Sequence, residues 1–135
     1  MEKRIDGNAD LHVESRAKRI TYWIITSLIG VFLLNVGIND ILKLAPYIGF
    51  LRKLGYPDYV AVIVGIWKIL GVIAILIPKF PLLKEWAYAG FFFLLTGAII
   101  SHAVIGDNFI FQVIVLKLIL ISWYLRPASR RLRAA

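Results

Sequence analysis

A few residues in this chain could handle charge or protons. His102 and Asp107 lie in TGAIISHAVIGDN (Thr96–Asn108), with Ser101 beside the histidine; Lys68 and Lys117 each sit mid-way along an apolar run; Asn35, Asn39 and Asp40 end another. Histidine, with a reference pKa near ~6.5, can relay protons. A lysine ammonium can hold an anion or a polar headgroup. Asn35 and Asn39 share a helix face, and Asp40 and Lys43, three apart, could pair on one turn. Each also has an ordinary reading: a hydrogen-bonded packing histidine, lysines answered by carbonyls or water, asparagines bonding between helices. The other histidine, His12, falls on the opposite side of the deduced topology, which leaves haem or zinc too few ligands.

The meaning of these groups depends on their solvent. Hydrophobic residues form 60% of the 135, against about 45–50% in soluble domains, and mean hydropathy is +0.79. One domain of this length cannot bury so much apolar surface, so lipid is the expected solvent. Cysteine is absent, which excludes disulfides, cysteine-ligated metal and CxxC redox chemistry. The charge is +8, from 16 Lys+Arg against 8 Asp+Glu. The basic residues flank the apolar runs, which suits anionic headgroups better than nucleic acid.

Four apolar runs, 20–42, 59–77, 86–106 and 109–125, approach the roughly 20 residues a helix needs to cross hydrocarbon ~30 Å thick. They lack period-2 alternation, and helices satisfy their own backbone. The expected fold is all-α, an antiparallel four-helix transmembrane bundle spanning 20–125. A cytoplasmic segment 1–19 precedes it and a basic tail 126–135 follows. The first run has no convincing cleavage site and reads as a retained helix. Lys3, Arg4, Arg16, Lys18, Arg19, Lys79, Lys84, Arg126, Arg130, Arg131 and Arg133 fall on one side, and Lys43, Arg52 and Lys53 on the other. Both termini should therefore be cytoplasmic. Trp23, Tyr59, Trp86, Tyr88, Trp123 and Tyr124 lie near span ends, as interfacial aromatics do.

Between the first two spans, Tyr47, Phe50, Leu51 and Leu54 recur at helical spacing, which predicts a short interfacial helix with Pro46 in its first turn and Gly55 at its end. Asp58 is placed to cap the second span. Ala61 with Gly65, Gly97 with Ser101, and Ser27, Gly30 and Gly37 mark places where helices can approach closely. By depth, Asn35, Asn39, Asp40, His102 and Asp107 share the outer half, with Lys68 and Lys117 beneath. That predicts one polar pocket open outward. A charged lysine at mid-bilayer costs at least ~2.5–3.5 kcal/mol on insertion scales. Both lysines should thus face the interior, a carboxylate or water, or shed their proton.

EWAYAGFFFLLTGAIISHAVIGD (Glu85–Asp107), LGYP (Leu54–Pro57) and KILG (Lys68–Gly71) resemble the DoxX-like membrane proteins. The resemblance runs from about Tyr22 to Leu125. It implies a bacterial four-helix protein of the cytoplasmic (inner) membrane. The wider family is named for a small subunit of a quinone-linked oxidase system, an activity of a few members. It directs attention to Glu85, Trp86, Tyr88, Ser101, His102, Asp107 and Lys68. Three functions follow as expectations. The first is a non-catalytic accessory or assembly subunit of a membrane redox system, with an oxidoreductase or a second copy as partner. The second is a redox protein binding quinone or another small molecule, with no intrinsic cofactor. The third, a small oligomeric transporter, lacks the glutamate that four-helix exporters carry in their first span.

Overall fold

The computed structural model describes residues 2–132, with side chains from Arg16 onward. Five α-helices follow one another: α1 (Glu2–Ile41), α2 (Tyr47–Lys53), α3 (Tyr59–Leu76), α4 (Pro81–Val104) and α5 (Ile110–Tyr124), then a 3-10 turn at Ala128–Arg130. No strand occurs among the described residues. Arg16–Ile41 within α1, α3 and α4 are long and apolar enough to cross a membrane, and α5 is a shorter apolar helix.

The expected elements appear with shifted ends. α1 is continuous from Glu2, so the segment before residue 20 runs as helix into the first apolar run. The side chains of Lys3, Arg4 and His12 lie outside the described residues, as does Arg133. α4 begins five residues before the apolar run, at Pro81. Lys79 and Phe80 adopt left-handed backbone (φ 66° and 53°), and proline then starts the helix with its φ already fixed. α5 has 15 residues, two short of the expected span. The short helix α2 forms with Pro46 before it, and Gly55 (φ 84°) turns the chain out of it; its half-buried stripe is joined by Ile48, which is buried.

Asp58 occupies the N-cap position of α3, but its side chain makes no capping hydrogen bond. Its carboxylate instead takes Arg52 Nε (2.8 Å) and Nη2 (2.7 Å) from the end of α2. Those hydrogen bonds outweigh the slight desolvation and, with the charges of Arg52 and Lys43, hold the Asp58 carboxyl below its usual range. A depressed carboxyl stabilises the fold above its unfolded pKa, and that contribution disappears as pH falls through the folded value. We expect carbon-detected NMR to place the Asp58 titration below the reference near ~3.9, and Arg52→Gln to return it upward. A normal titration in the unaltered protein would disprove the tether.

α1 packs on α3, α3 on α4, α4 on α5, and α5 returns to α1. Ile29, Leu33, Val72, Ile75, Tyr88, Phe91, Leu95, Val115 and Ile119 form the shared core. The α1–α3 seam is tightest where Gly37 faces Gly65: a Cβ on Gly65 would lie 2.6 Å from the Gly37 carbonyl oxygen. Ala61, one turn away, is fully buried in line with the same small-residue row. Gly97 lies open, with nothing within 4 Å of an added Cβ. Many large apolar residues point outward, Trp67, Phe93 and Val104 among them. Water would penalise that surface by its apolar area; hydrocarbon does not.

Candidate functional site

The residues expected to share one outward pocket divide into separate clusters. Between α1 and α3, Lys68 Nζ donates to Asp40 Oδ2 at 2.6 Å. Both side chains are largely buried, at 14% and 5% exposure. Lys68 thus meets the carboxylate its depth demanded, and Asp40 pairs across helices rather than with Lys43. Asn35 and Asn39 do not bond between helices: the Asn39 carboxamide donates to the Asn35 carbonyl (2.7 Å) and side-chain oxygen (3.1 Å) within α1.

At the α2 end, His102 stacks on Phe50, with ring centroids 3.8 Å apart and an interplanar angle of 11°. One ring nitrogen, Nε2, lies 3.0 Å from Gln112 Nε2. The other, Nδ1, faces Asp107 Oδ2 at 3.8 Å, too far for a hydrogen bond, and is buried without one. Lys53 Nζ lies 3.8 Å from the same carboxylate oxygen. Gly106 (φ 76°) makes the turn that brings Asp107 back over His102. Ser101 is half-buried and adds no side-chain hydrogen bond to this cluster. The short helix α2 is therefore the cover of the histidine site, which its amphipathic pattern alone did not reveal.

At the opposite, basic end, Glu85 Oε1 pairs with Arg126 Nη2 at 2.6 Å, and Glu85 Oε2 accepts from Trp123 Nε1 at 3.0 Å. Arg126 lies over the rings of Tyr88 (5.2 Å) and Trp123 (5.5 Å). Ser122 Oγ shares hydrogen bonds with Tyr88 Oη (2.8 Å) and Thr26 Oγ1 (2.7 Å), which joins α4, α5 and α1. Tyr88 is thus a buried network residue and not an interfacial aromatic. Lys84, fully buried, donates to the carbonyls of Ala74 (3.0 Å) and Ile77. Arg130 donates to those of Ile75 (2.9 Å) and Leu76 (3.1 Å). These cations satisfy the carbonyls that the end of α3 leaves without helical partners. Lys84, Arg126 and Arg130 are therefore bound within the protein, although loop position alone assigned them to headgroups. Thr26, Ser122 and Gln112 escaped notice as ordinary polar interruptions of apolar runs.

Lys117 belongs to none of these clusters. It is exposed at the middle of α5, facing away from the interior that was one of the surroundings its depth allowed. A groove of about 300 Å³ opens between α3 and α4, bounded by Trp67, Lys68, Gly71, Trp86, Gly90 and Phe91 among others. Its walls are apolar apart from Lys68. Trp86, largely exposed, forms part of the rim. Among the described residues, no three of His, Cys, Asp and Glu gather as a metal site.

A model of the DoxX-like family matches residues 24–124, from the first turns of the span in α1 to the last residue of α5. The chain belongs to the DoxX-like family. No curated protein and no solved structure matches it significantly. The DoxX-like segment contains the Lys68–Asp40 pair, the His102 cluster and the groove; Arg126 lies just beyond it. With three helices able to cross a bilayer, this DoxX-like chain is a multi-pass membrane protein.

Proposed function

We propose that the chain is a non-catalytic accessory or assembly subunit of a membrane redox system, holding a quinone or lipid in the groove between α3 and α4. In this reading it sits in the bacterial cytoplasmic membrane as an antiparallel four-helix bundle with both termini inside. The groove carries the proposal. It opens sideways among exposed apolar residues, so a ligand can enter from the bilayer, and its aromatic walls suit a flat ring or an acyl chain. Lys68 supplies the one cationic group on its lining, and Asp40 fixes that group at 2.6 Å. A carbonyl or phosphate headgroup would find a donor there.

His102 and Lys117 lie off this groove, so a proton-moving set built from Lys68, Lys117 and His102 has no common ligand to act upon. That separation favours binding over autonomous redox chemistry. Native mass spectrometry of the protein extracted in mild detergent should find a retained quinone or lipid, and a specific protein partner. Gly90→Leu should lower ligand retention at least tenfold, because a side chain at Gly90 grows from the groove wall where an added Cβ meets nothing within 4 Å. A preparation free of both ligand and partner would overturn the reading.

A further inference from the structure

We infer that the outward face of α5 is a docking surface for a transmembrane helix of another protein, one that carries a carboxylate at mid-depth, and that Lys117 receives it. Ile110, Ile114, Lys117, Ile121 and Tyr124 follow at steps of four, three, four and three, and all are exposed. That alternation lines up the seam of a left-handed helix pair. Lys117 is the central residue of the 15 in α5, about 10 Å by helix rise from either end, farther than a lysine stem reaches. An unanswered ammonium at that depth is strongly disfavoured in lipid, and such groups mark contact or transport sites.

Lys68, at the same central depth in α3, shows what such a lysine requires, since Asp40 meets it at 2.6 Å. Nothing comparable is left for Lys117. Among the described residues, Asp40 is engaged by Lys68, Asp58 by Arg52 and Glu85 by Arg126, while Asp107 sits between Lys53 and His102 at the α2 end. A second copy would bring a second Lys117 to the same level and no acid. Charge complementarity therefore selects a different chain with a buried Asp or Glu. The inference rests on the accessory-subunit reading for the existence of a partner. It does not rest on the groove, whose lining comes from α3 and α4 alone.

The test uses the full-length protein in phosphatidylcholine vesicles and two labelled Leu/Ala transmembrane peptides, one with a single central Glu and one with Leu there. Energy transfer should show the Glu peptide associating at least tenfold more tightly than the Leu peptide. Lys117→Leu should erase that difference, and Lys117→Arg should restore it. Because the site is exposed, Lys117→Leu should leave unfolding unchanged and ligand retention in the groove intact. Equal association of the two peptides, or undiminished Glu-peptide association with Lys117→Leu, would overturn the inference. So would self-association of the protein, with Lys117 retained, through cysteines placed at Ile114 and Ile121. Loss of groove ligand with peptide discrimination retained would sink the groove reading alone.

Discussion

Asp40→Leu should destabilise the protein by about 3–5 kcal/mol, the range for stranding one member of a buried ion pair. Lys68 is 14% exposed and hydrogen-bonded to Asp40 at 2.6 Å, so the lone ammonium would remain between two apolar helices at mid-span. Adding Lys68→Leu should recover most of the loss, because replacing both partners by apolar groups is often neutral. Reversible unfolding in mixed micelles measures both changes. Non-additivity is the decisive sign: a double variant as unstable as the sum of its parts would mean the two groups do not stabilise each other. If Lys68 also serves a headgroup, the double variant should stay folded yet release the ligand.

Gly65→Leu should be comparably damaging for a steric reason. An added Cβ at Gly65 would lie 2.6 Å from the Gly37 carbonyl oxygen, 2.8 Å from Ile41 Cγ1 and 3.1 Å from Asp40 Cβ. The first contact is backbone and cannot rotate away, so α1 and α3 must separate. Overpacking costs about 1–3 kcal/mol by itself. Here the separation also stretches the Asp40–Lys68 pair, so a loss of about 3 kcal/mol or more is expected. Gly97→Ala is the control. Nothing lies within 4 Å of its added Cβ, and removing a mid-helix glycine should raise stability by up to about 1 kcal/mol. Equal effects at the two glycines would show that the α1–α3 contact is not what sets the cost.

These two variants also show what could be read from residue order. Hydropathy located the three helices long and apolar enough to cross a membrane, and the shorter α5, because hydrocarbon demands long apolar helices whatever their neighbours. Depth told that Lys68 needed an answer, and the partner's position one helix earlier had to come from the fold. The same argument left Lys117 open between the interior, a carboxylate and water, and the fold sets it on the exposed face of α5. Depth fixes distance from the headgroups, while the direction a side chain faces depends on which helices pack beside α5. Charge counting treated Lys84, Arg126 and Arg130 alike with true loop cations; their folded partners, the α3 carbonyls and Glu85, are invisible to a count. Glu85, Tyr88, His102 and Asp107, to which the resemblance directed attention, each meet polar or charged neighbours in the fold. Their division between opposite ends follows from α4 itself, in which Glu85 and His102 stand 17 residues apart, about 25 Å along the axis.

The order in which the helices touch has a consequence for biosynthesis. Each long helix packs on the next one in the chain, and α1 with α5 makes the return contact. A chain leaving the ribosome can therefore assemble by adding each new hairpin to its predecessor, with short sequence separations throughout. The return contact must wait for the last helix, because Thr26 bonds Ser122 across 96 residues. Until α5 emerges, the Thr26 flank of α1 is open to whatever the insertion machinery or a nascent neighbour presents. The interval before release is thus when wrong partners are most readily admitted.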